Sequence, residues 1–387
     1  MKIGILFSGQ GDVPGANARA LWQRPAAAGI WAEACDILGE DIVAWLDDDL
    51  SHDTRRGQLV SVVGSIATFA VYMDQIGVAP HVILGHSVGE VAALSVAGGW
   101  PLDVTVHIAN ARSTAMQRVV DTGDDMAMAA ILNPPFDFSD LLVNHLGVWL
   151  ANLNGPSQVV VSGLKEAVQS VVKESGVHAV TLPIPAACHT PLMDPAAQEF
   201  AEAVSSISLD STPGPTVVMN SDAHPLTDWS GLVERMAYQM THPVLWQDSV
   251  EEAARLGAQV FIDLSPGGKL SRMTSPSGTR FVTVSQDPTL EALAHDFRHY
   301  IATDRVYNLS SRALGMIVST PNRAANDAEY HEKVIPAYHA IRALAGKNDA
   351  DVAAIVSHLR TALAAKGADG DDIDQKVNQL KWRASQA

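Results

Sequence analysis

Cysteine is nearly absent from this chain of 387 residues: Cys35 and Cys188 are the only two, and they lie far apart. A disulfide framework needs several paired cysteines and a cysteine-rich metal site needs clustered ligands, so neither is encoded. The histidines are scattered without the spacing of metal ligands. We therefore expect no metal site, and a reducing cytoplasm as the location.

Basic residues are also scarce. Lysine and arginine number 26 against 43 aspartates and glutamates, which gives a formal net charge of -17. The acidic surplus lies in the first 300 residues, because residues 301–387 hold 11 basic and 10 acidic side chains. A phosphate-binding surface needs clustered positive charge, so a nucleic-acid partner is excluded.

Long apolar runs are missing as well. The longest, Leu59–Met73, contains serine and threonine and is shorter than the ~20 residues that span a bilayer. The apolar stretch within Met1–Ser8 is too short for a signal peptide. We expect a buried helix at the first segment, a strand at the second, and no membrane partner.

The apolar runs that are present are short and alternate with helical patterns. Strands are predicted at Ile3–Phe7, His81–Leu84, Thr216–Met219, Gln259–Leu264 and Arg280–Val284, with helices that include Ser61–Gln75, Leu102–Val120 and Gln247–Leu256. This alternation is typical of a parallel sheet with helices on both faces. The larger part of the chain is therefore predicted to be α/β.

Residues 125–190 show a different order of predicted strands and helices. The patterns predict, in order, strand Met126–Leu132, helix Phe138–His145, strands Val148–Ala151 and Gln158–Ser162 around a turn at Asn154-Gly155-Pro156, helix Leu164–Glu174 and strand His178–Ile184. The order β-α-β-β-α-β is that of a ferredoxin-like unit. After about residue 300 only helical patterns remain, at 327–344, 351–365 and 371–382.

A serine lies where a predicted strand meets a predicted helix. Gly85-His86-Ser87-Val88-Gly89 follows the apolar run Val82–Leu84 and precedes a helical pattern rich in small residues. Glycines on both sides of a serine permit the tight turn that presents its hydroxyl, and the following helix N-terminus favours negative charge. We interpret Ser87 as a nucleophile.

Five separated motifs resemble those of the acyl-CoA:acyl carrier protein acyltransferases, which include malonyl transferases and polyketide synthase acyltransferase domains. They are Phe7–Gly11 (F-x-G-Q-G), Gly85–Glu90 (G-H-S-x-G-E), Ala111-Arg112 with Met116-Gln117, Asn152–Gly163 and Cys188–Pro195 (H-x-P-L-M-x-P with its preceding residue). The resemblance covers residues 1 to about 300. It implies an α/β-hydrolase-like parallel-sheet large domain at 1–124 and 191–300, a ferredoxin-like small subdomain at 125–190 and, outside the match, a helical C-terminal extension at 301–387.

The resemblance also implies roles for individual residues. His189 is expected to be the base for Ser87, oriented by a main-chain carbonyl, so no aspartate is assigned and Asp263 is expected to be structural. Backbone N–H groups of Gln10 and Val88 are expected to form the oxyanion hole. Arg112 is expected to bind the free carboxylate of a dicarboxylic acyl group, because a guanidinium donates two parallel hydrogen bonds.

Further residues are expected to line the substrate pocket: Gln239, Cys188 and His86. Val88 resembles malonyl-selective members of the family, whereas Ala186-Ala187-Cys188-His189 matches neither the malonyl nor the methylmalonyl pattern. An acyl group larger than malonyl therefore stays open as a candidate substrate. Asn154 is interpreted as a turn former, and His86 as a packing residue.

The predicted function is transfer of a malonyl-type group from CoA, through an ester on Ser87, to the phosphopantetheine thiol of an acyl carrier protein. CoA and phosphopantetheine belong to the substrates, so no cofactor is expected. The expected partners are malonyl-CoA or a related acyl-CoA, an acyl carrier protein and, as one possibility, a polyketide synthase. The pathway, fatty-acid or polyketide, is not distinguished.

Three alternatives stay open. The chain could be an editing hydrolase or esterase for acyl thioesters, a carrier-to-carrier acyltransferase with a larger substrate, or an interaction protein on this scaffold. The basic residues Arg305, Arg312, Arg323 and Lys333 of the near-neutral extension are hypothesised to help receive an acidic carrier protein.

Overall fold

The computed structural model describes residues 2–12, 14–134, 142, 145–209, 214–273, 276, 278–287, 289–295, 297, 305–323, 327–345 and 352–386. Its strands are β1 (Lys2–Phe7), β2 (Val82–Gly85), β3 (Met126–Leu132), β4 (Val148–Gly155), β5 (Gln158–Leu164), β6 (Ala179–Thr181), β7 (Thr216–Val217), β8 (Ala258–Asp263) and β9 (Arg280–Thr283).

The helices surround these strands. They are α1 (Ala16–Trp22), α2 (Pro25–Leu38), α3 (Thr54–Gln75), α4 (Gly89–Gly98), α5 (Leu102–Asp121), α6 (Lys165–Ser175), α7 (Asp194–Val204), α8 (Leu232–Thr241), α9 (Trp246–Arg255), α10 (Leu270–Met273), α11 (Arg305–Ser319), α12 (Asp327–Glu329), α13 (Ile335–Ala343), α14 (Val352–Ala365) and α15 (Gly370–Gln386). A π-helical turn, Tyr330–Val334, joins α12 to α13.

The large sheet has the strand order β7-β2-β1-β8-β9 and is parallel throughout. Successive side chains of a strand point to opposite faces, so Ile5 and Phe7 of β1 enter one apolar core while Leu6 enters another. The first core is filled by α2 to α5 and the second by α9, so both faces are covered. The predicted α/β fold is confirmed, with β7 ending two residues earlier than expected.

The small sheet has the strand order β4-β5-β3-β6 and is antiparallel. This is the strand order of a ferredoxin-like unit, and the inserted subdomain is confirmed. The helix predicted at 138–145 lies mostly outside the described residues. Asn154 is not in the turn as expected, because β4 continues to Gly155. The exact domain boundaries stay a prediction.

Helix α3 is the long apolar segment of the sequence. By length and composition it could cross a membrane, but 83% of its most apolar window is buried inside the protein. Its N-terminus is capped by Asp53, whose carboxylate accepts a hydrogen bond of 2.8 Å from the backbone N–H of Arg56. The prediction of a buried helix is confirmed.

The C-terminal helices have an apolar core of their own and are joined to the body by buried polar contacts. Leu314, Ile341 and Leu359 belong to that core. Arg312, which is 2% exposed, donates hydrogen bonds of 3.1 and 3.2 Å to the last carbonyls of α3, at Asp74 and Gln75. Carbonyls at a helix C-terminus lack intrahelical partners, so this arginine completes α3.

The hypothesis that Arg312 receives a carrier protein is therefore wrong, because its guanidinium is buried against α3. Lys333 is exposed and forms an ion pair of 2.6 Å with Glu329. Arg323 lies on the surface, and its backbone N–H donates to the carbonyl of Lys366. The side chain of Arg305 lies outside the described residues.

Replacement of Arg312 by methionine is expected to lower the free energy of unfolding by about 2 kcal/mol, because two buried charge-assisted hydrogen bonds are lost. Urea unfolding followed by circular dichroism measures this change. Lys333→Met is the matched control in the same segment and is expected to leave the unfolding midpoint in place. Equal midpoints for Arg312→Met and the unaltered protein would contradict the anchoring role.

Candidate active site

The turn after β2 places Ser87 at the carboxyl edge of the large sheet. Ser87 has a left-handed backbone with φ of 53°, which costs about 1–3 kcal/mol for a residue with a side chain. A Cβ on Gly85 would lie 2.0 Å from the carbonyl oxygen of Gly89, and one on Gly89 would lie 2.5 Å from that of Phe7. Both positions therefore require glycine, and the serine hydroxyl stands clear of the sheet.

Ser87 and His189 are in direct contact. The distance between Ser87 Oγ and His189 Nε2 is 2.7 Å, and His189 Nδ1 lies 2.8 Å from the carbonyl oxygen of Gln239. A carbonyl oxygen can only accept, so we assign the ring proton to Nδ1. Nε2 is then the acceptor for the serine hydroxyl, which is the arrangement of a nucleophile and its base.

The imidazole of His189 is buried, with 2% of the residue exposed. Burial, and next the positive charge of Arg112, lower its pKa to about 3. Both effects disfavour the imidazolium ion. The ring is consequently neutral at physiological pH and can accept a proton.

The peptide of Ser87 is held from both sides. Its N–H donates to Asn220 Oδ1 at 2.8 Å, and its carbonyl accepts from Gln239 Nε2 at 2.8 Å. Asn220 is itself fixed, because its backbone N–H donates to the buried carboxyl of Glu90 at 2.6 Å. Burial raises the pKa of Glu90 to about 7.

Arg112 lies behind the cleft and not in its wall. Its guanidinium donates through Nη1 to Gln58 Oε1, and through Nη2 to Gln239 Oε1 at 3.0 Å. Burial lowers its pKa to about 10, so the side chain still carries its charge at neutral pH. Gln58 separates this charge from the cleft, which it lines together with Ser87.

The backbone N–H groups of Gln10 and Val88 have no acceptor within the part of the chain that the structure describes. Both residues line the same cleft as Ser87. Val88 is the N-cap of α4, where the helix dipole favours negative charge. This geometry suits a developing oxyanion.

The cleft has a volume of about 320 Å³ and lies between the two sheets. An apolar wall is formed by Met128 and Val160 of the small sheet and by Leu182, which directly follows β6. Cys188 also lines the cleft, and burial raises the pKa of its thiol to about 11, so the thiol stays protonated. It is not an activated nucleophile.

His86 and Asn154 form one contact at the cleft. His86 Nε2 lies 2.8 Å from Asn154 Oδ1, and its ring packs edge-on against Trp246. Asn154 also donates to Gln158 Oε1 at 2.7 Å. His86 thus has packing and hydrogen-bonding contacts, as expected, and Asn154 fixes its ring.

Asp263 accepts hydrogen bonds of 2.8 Å from the backbone N–H groups of Ser265 and Ser271. These bonds order the loop after β8, which is a structural contact. Within the described residues, no group of three or more His, Cys, Asp or Glu side chains is arranged to hold a metal ion.

The sequence did not indicate the roles of three residues around the site. They are Gln58, which contacts Arg112, Asn220, which holds the Ser87 peptide, and Glu90, whose buried carboxyl holds Asn220. Asn220 carried a usable signal, since it follows the buried run at the carboxyl end of β7, where parallel-sheet sites are found. Gln58 carried none, because it lies in an ordinary helical pattern.

Comparison with known proteins agrees with this geometry. The family model described as "Acyl transferase domain" matches residues 5–291. The malonyl CoA-acyl carrier protein transacylase of Escherichia coli (strain K12) is 31% identical over 287 residues, which cover 70% of this chain and 92% of the relative. That of Bacillus subtilis (strain 168) is 29% identical over 307 residues, covering 76% of this chain and 96% of the relative.

Solved structures give the same result. An acyl carrier protein S-malonyltransferase from Vibrio cholerae is 30% identical, with a TM-score of 0.67, and the match covers 76% of this chain and 100% of that one. A malonyl-transacylase solved in complex with a type II PKS acyl-carrier protein is 26% identical, with a TM-score of 0.70 and the same coverage. The family match, together with the contact between Ser87 and His189 on this α/β scaffold, identifies an acyltransferase. The chain belongs to the acyl transferase domain family.

Glu90→Gln is expected to change how stability depends on pH. Between pH 4.5 and 7 the unfolded carboxyl loses its proton while the folded carboxyl, with its raised pKa, keeps it. Stability of the unaltered protein therefore falls as pH rises through this window, by on the order of 3 kcal/mol from this group. Glu90→Gln has no titrating carboxyl at this position, so its stability is expected not to fall in this way.

Chemical unfolding at several pH values measures the difference between the two proteins. Glu199→Gln, on the surface beside Arg118, is the matched control; it retains Glu90 and is expected to show the same fall in stability with pH as the unaltered protein. A difference between Glu90→Gln and the unaltered protein that does not vary with pH would contradict the raised pKa.

Proposed function

We propose that this protein transfers a malonyl-type acyl group from CoA, through an ester on Ser87, to the phosphopantetheine thiol of an acyl carrier protein. The observation that carries the proposal is the contact of 2.7 Å between Ser87 Oγ and His189 Nε2, with Nδ1 held by a main-chain carbonyl. The relatives named as malonyl CoA-acyl carrier protein transacylases support the donor and the acceptor. The substrates themselves carry CoA and phosphopantetheine, and no further cofactor is proposed.

In the first half-reaction, Ser87 Oγ attacks the thioester carbon while its proton passes to His189 Nε2. The carbonyl oxygen becomes an oxyanion, which accepts hydrogen bonds from the backbone N–H groups of Gln10 and Val88. Collapse of the tetrahedral intermediate breaks the carbon–sulfur bond. The CoA sulfur takes the proton from His189 and leaves the acyl group as an ester on Ser87.

The second half-reaction reverses these roles. The phosphopantetheine thiol gives its proton to His189 Nε2 and attacks the ester carbon, and the intermediate expels Ser87 Oγ, which takes the proton back. The two substrates use the same base and the same oxyanion site in turn. The kinetics are consequently ping-pong.

Arg112 is proposed to select acyl groups that end in a carboxylate. The guanidinium is buried and its Nη1 is bonded to Gln58 Oε1, a neutral acceptor in the cleft wall. A substrate carboxylate is a stronger acceptor for a guanidinium than an amide oxygen. We propose that the carboxylate takes the position of the Gln58 oxygen, with Gln239 still bonded to Nη2.

The size of the acyl group is less constrained than its charge. Cys188 and the apolar wall of the small sheet leave room near Ser87, so methylmalonyl or a larger group is included among the candidate substrates. Hydrolysis of acyl thioesters is the competing reaction, with water as the second nucleophile. We propose a cytoplasmic location, where acyl-CoA donors are found.

Incubation with malonyl-CoA is expected to add one malonyl group to the protein, detected as a gain in intact mass. Ser87→Ala is expected to abolish this adduct, and a carrier protein is expected to discharge it from the unaltered protein. Release of CoA by the unaltered protein without any adduct would indicate a hydrolase and overturn the proposal.

Arg112→Met is expected to lower the preference for malonyl-CoA over acetyl-CoA by about 100-fold, because the buried positive charge and its charge-assisted hydrogen bond to the substrate carboxylate are lost. Competitive loading of Ser87, read by intact mass, measures this preference. Arg118→Met, in the same helix but exposed and paired with Glu199, is the matched control. An unchanged preference in Arg112→Met would remove Arg112 from the substrate site.

The rate of Ser87 loading is expected to stay within about twofold from pH 5 to pH 7. The reactive imidazole must be neutral, and its lowered pKa moves protonation far below the usual 6.5. Single-turnover loading measures the profile, with Glu90→Gln as the control that removes the buried carboxyl whose pKa lies near 7 and which is linked to Ser87 through Asn220. Loss of half the rate near pH 6.5 in both proteins would contradict the neutral buried base.

A further inference from the structure

A second cavity lies at the opposite edge of the large sheet from Ser87. It has a volume of about 380 Å³ and is bordered by the first residues of four parallel strands, Lys2, Val82, Thr216 and Ala258. Catalytic sites of open α/β sheets lie at the carboxyl edge. The cavity is therefore separate from the acyl-transfer site.

The C-terminal helices close this cavity. Ser311 and Gly315 of α11, and Tyr338 and Arg342 of α13, form the wall that faces the strand ends. These helices lie beyond residue 291, where the match to the family model ends. The cavity is thus a feature that this chain builds from its extension.

The charged side chains in the wall of this cavity are all basic. Lys2 and Arg342 are the cationic side chains that line the cavity, and none of the described residues that line it is acidic. The chain as a whole carries a net charge of -17, so this is a local reversal. Burial lowers the pKa of His81, and the positive charges of Lys2 and Arg342 lower it further. An anion is the matching ligand.

Ser311 supplies an independent observation. It is 1% exposed, and its hydroxyl has no hydrogen-bond partner in the part of the chain that the structure describes. Buried hydroxyls are nearly always hydrogen-bonded in folded proteins. A ligand in the cavity that carries an acceptor atom would receive a hydrogen bond from this hydroxyl.

The remaining wall is largely apolar and includes Phe69, Val96 and Leu314. A cationic, hydroxyl-bearing side combined with an apolar side fits an amphipathic anion. We propose that this cavity binds a small organic anion with an apolar body, in the class of medium-chain carboxylates. The carboxylate faces Arg342, Lys2 and Ser311, and the chain packs against Phe69 and Leu314.

The test uses octanoate as the probe, the full-length protein and isothermal titration calorimetry. We expect saturable binding at one site, and binding of octan-1-ol weaker by about tenfold or more, because the alcohol lacks the charge. No saturable octanoate binding, or equal binding of the alcohol, would overturn the proposal.

Octanoate binding to substituted proteins tests whether the probe occupies this cavity. Arg342→Met is expected to weaken octanoate binding by about tenfold and Ser311→Ala by about threefold. Arg342 also donates to the carbonyl of Gly214, so its replacement could affect folding, whereas Ser311→Ala removes no bond of the folded chain. Arg235→Met, on the surface beside Asp222, is the matched control.

Arg112→Met distinguishes the two cavities. Octanoate affinity is expected to be unchanged in this variant, and Ser87 loading is expected to be unchanged in Ser311→Ala. Affinity that falls in Arg112→Met but not in Ser311→Ala would place the probe in the catalytic cleft and overturn the proposal. Because calorimetry needs no acyl transfer, this outcome does not depend on the proposed reaction.

Discussion

The strained peptide at Ser87 is the constraint on which the rest of the site depends. Its left-handed conformation turns the hydroxyl out of the sheet, and it persists because neighbours oppose its relaxation. Asn220 holds the N–H, Gln239 holds the carbonyl, and glycines at 85 and 89 allow strand and helix to approach closely. Each of these partners comes from a different element of the large domain, so the turn is stable only within the complete fold.

Gln239 connects this peptide to the other reacting groups. Its main-chain oxygen orients His189, its Nε2 holds Ser87, and its Oε1 accepts from Arg112. The nucleophile, the base and the guanidinium are therefore parts of a single hydrogen-bonded unit. An acid in place of the main-chain carbonyl would bring a charge into this buried space, which the arrangement avoids.

Sequence reasoning reached the parts of the structure that local pattern determines. The Gly85–Gly89 turn, the apolar strands and the order of elements in the small sheet follow from short-range rules of backbone geometry and alternation. The contact between Ser87 and His189 needed the family resemblance, because 102 residues separate them and no spacing rule links them.

The errors have physical causes of the same kind. Arg312 has the composition of a surface residue and becomes buried only because α11 packs on the end of α3. Asn154 has a strong turn preference, but β4 continues past it to Gly155, with a register shift in its pairing to β5 between Leu153 and Gly155. Gln58 gains its importance from Arg112, a residue of another helix, so nothing in its own neighbourhood distinguishes it.

The position of Glu33 has a consequence for how the protein is made. Its carboxyl is buried beside the C-terminal extension, where it accepts from the N–H of Asn322 and attracts the buried ammonium of Lys366. Synthesis on the ribosome proceeds from the amino end, so α2 emerges before either partner exists. During that interval Glu33 lacks the two groups that hold it in the folded protein. Docking of the extension therefore removes water from this carboxyl and, in the same event, closes the amino edge of the sheet.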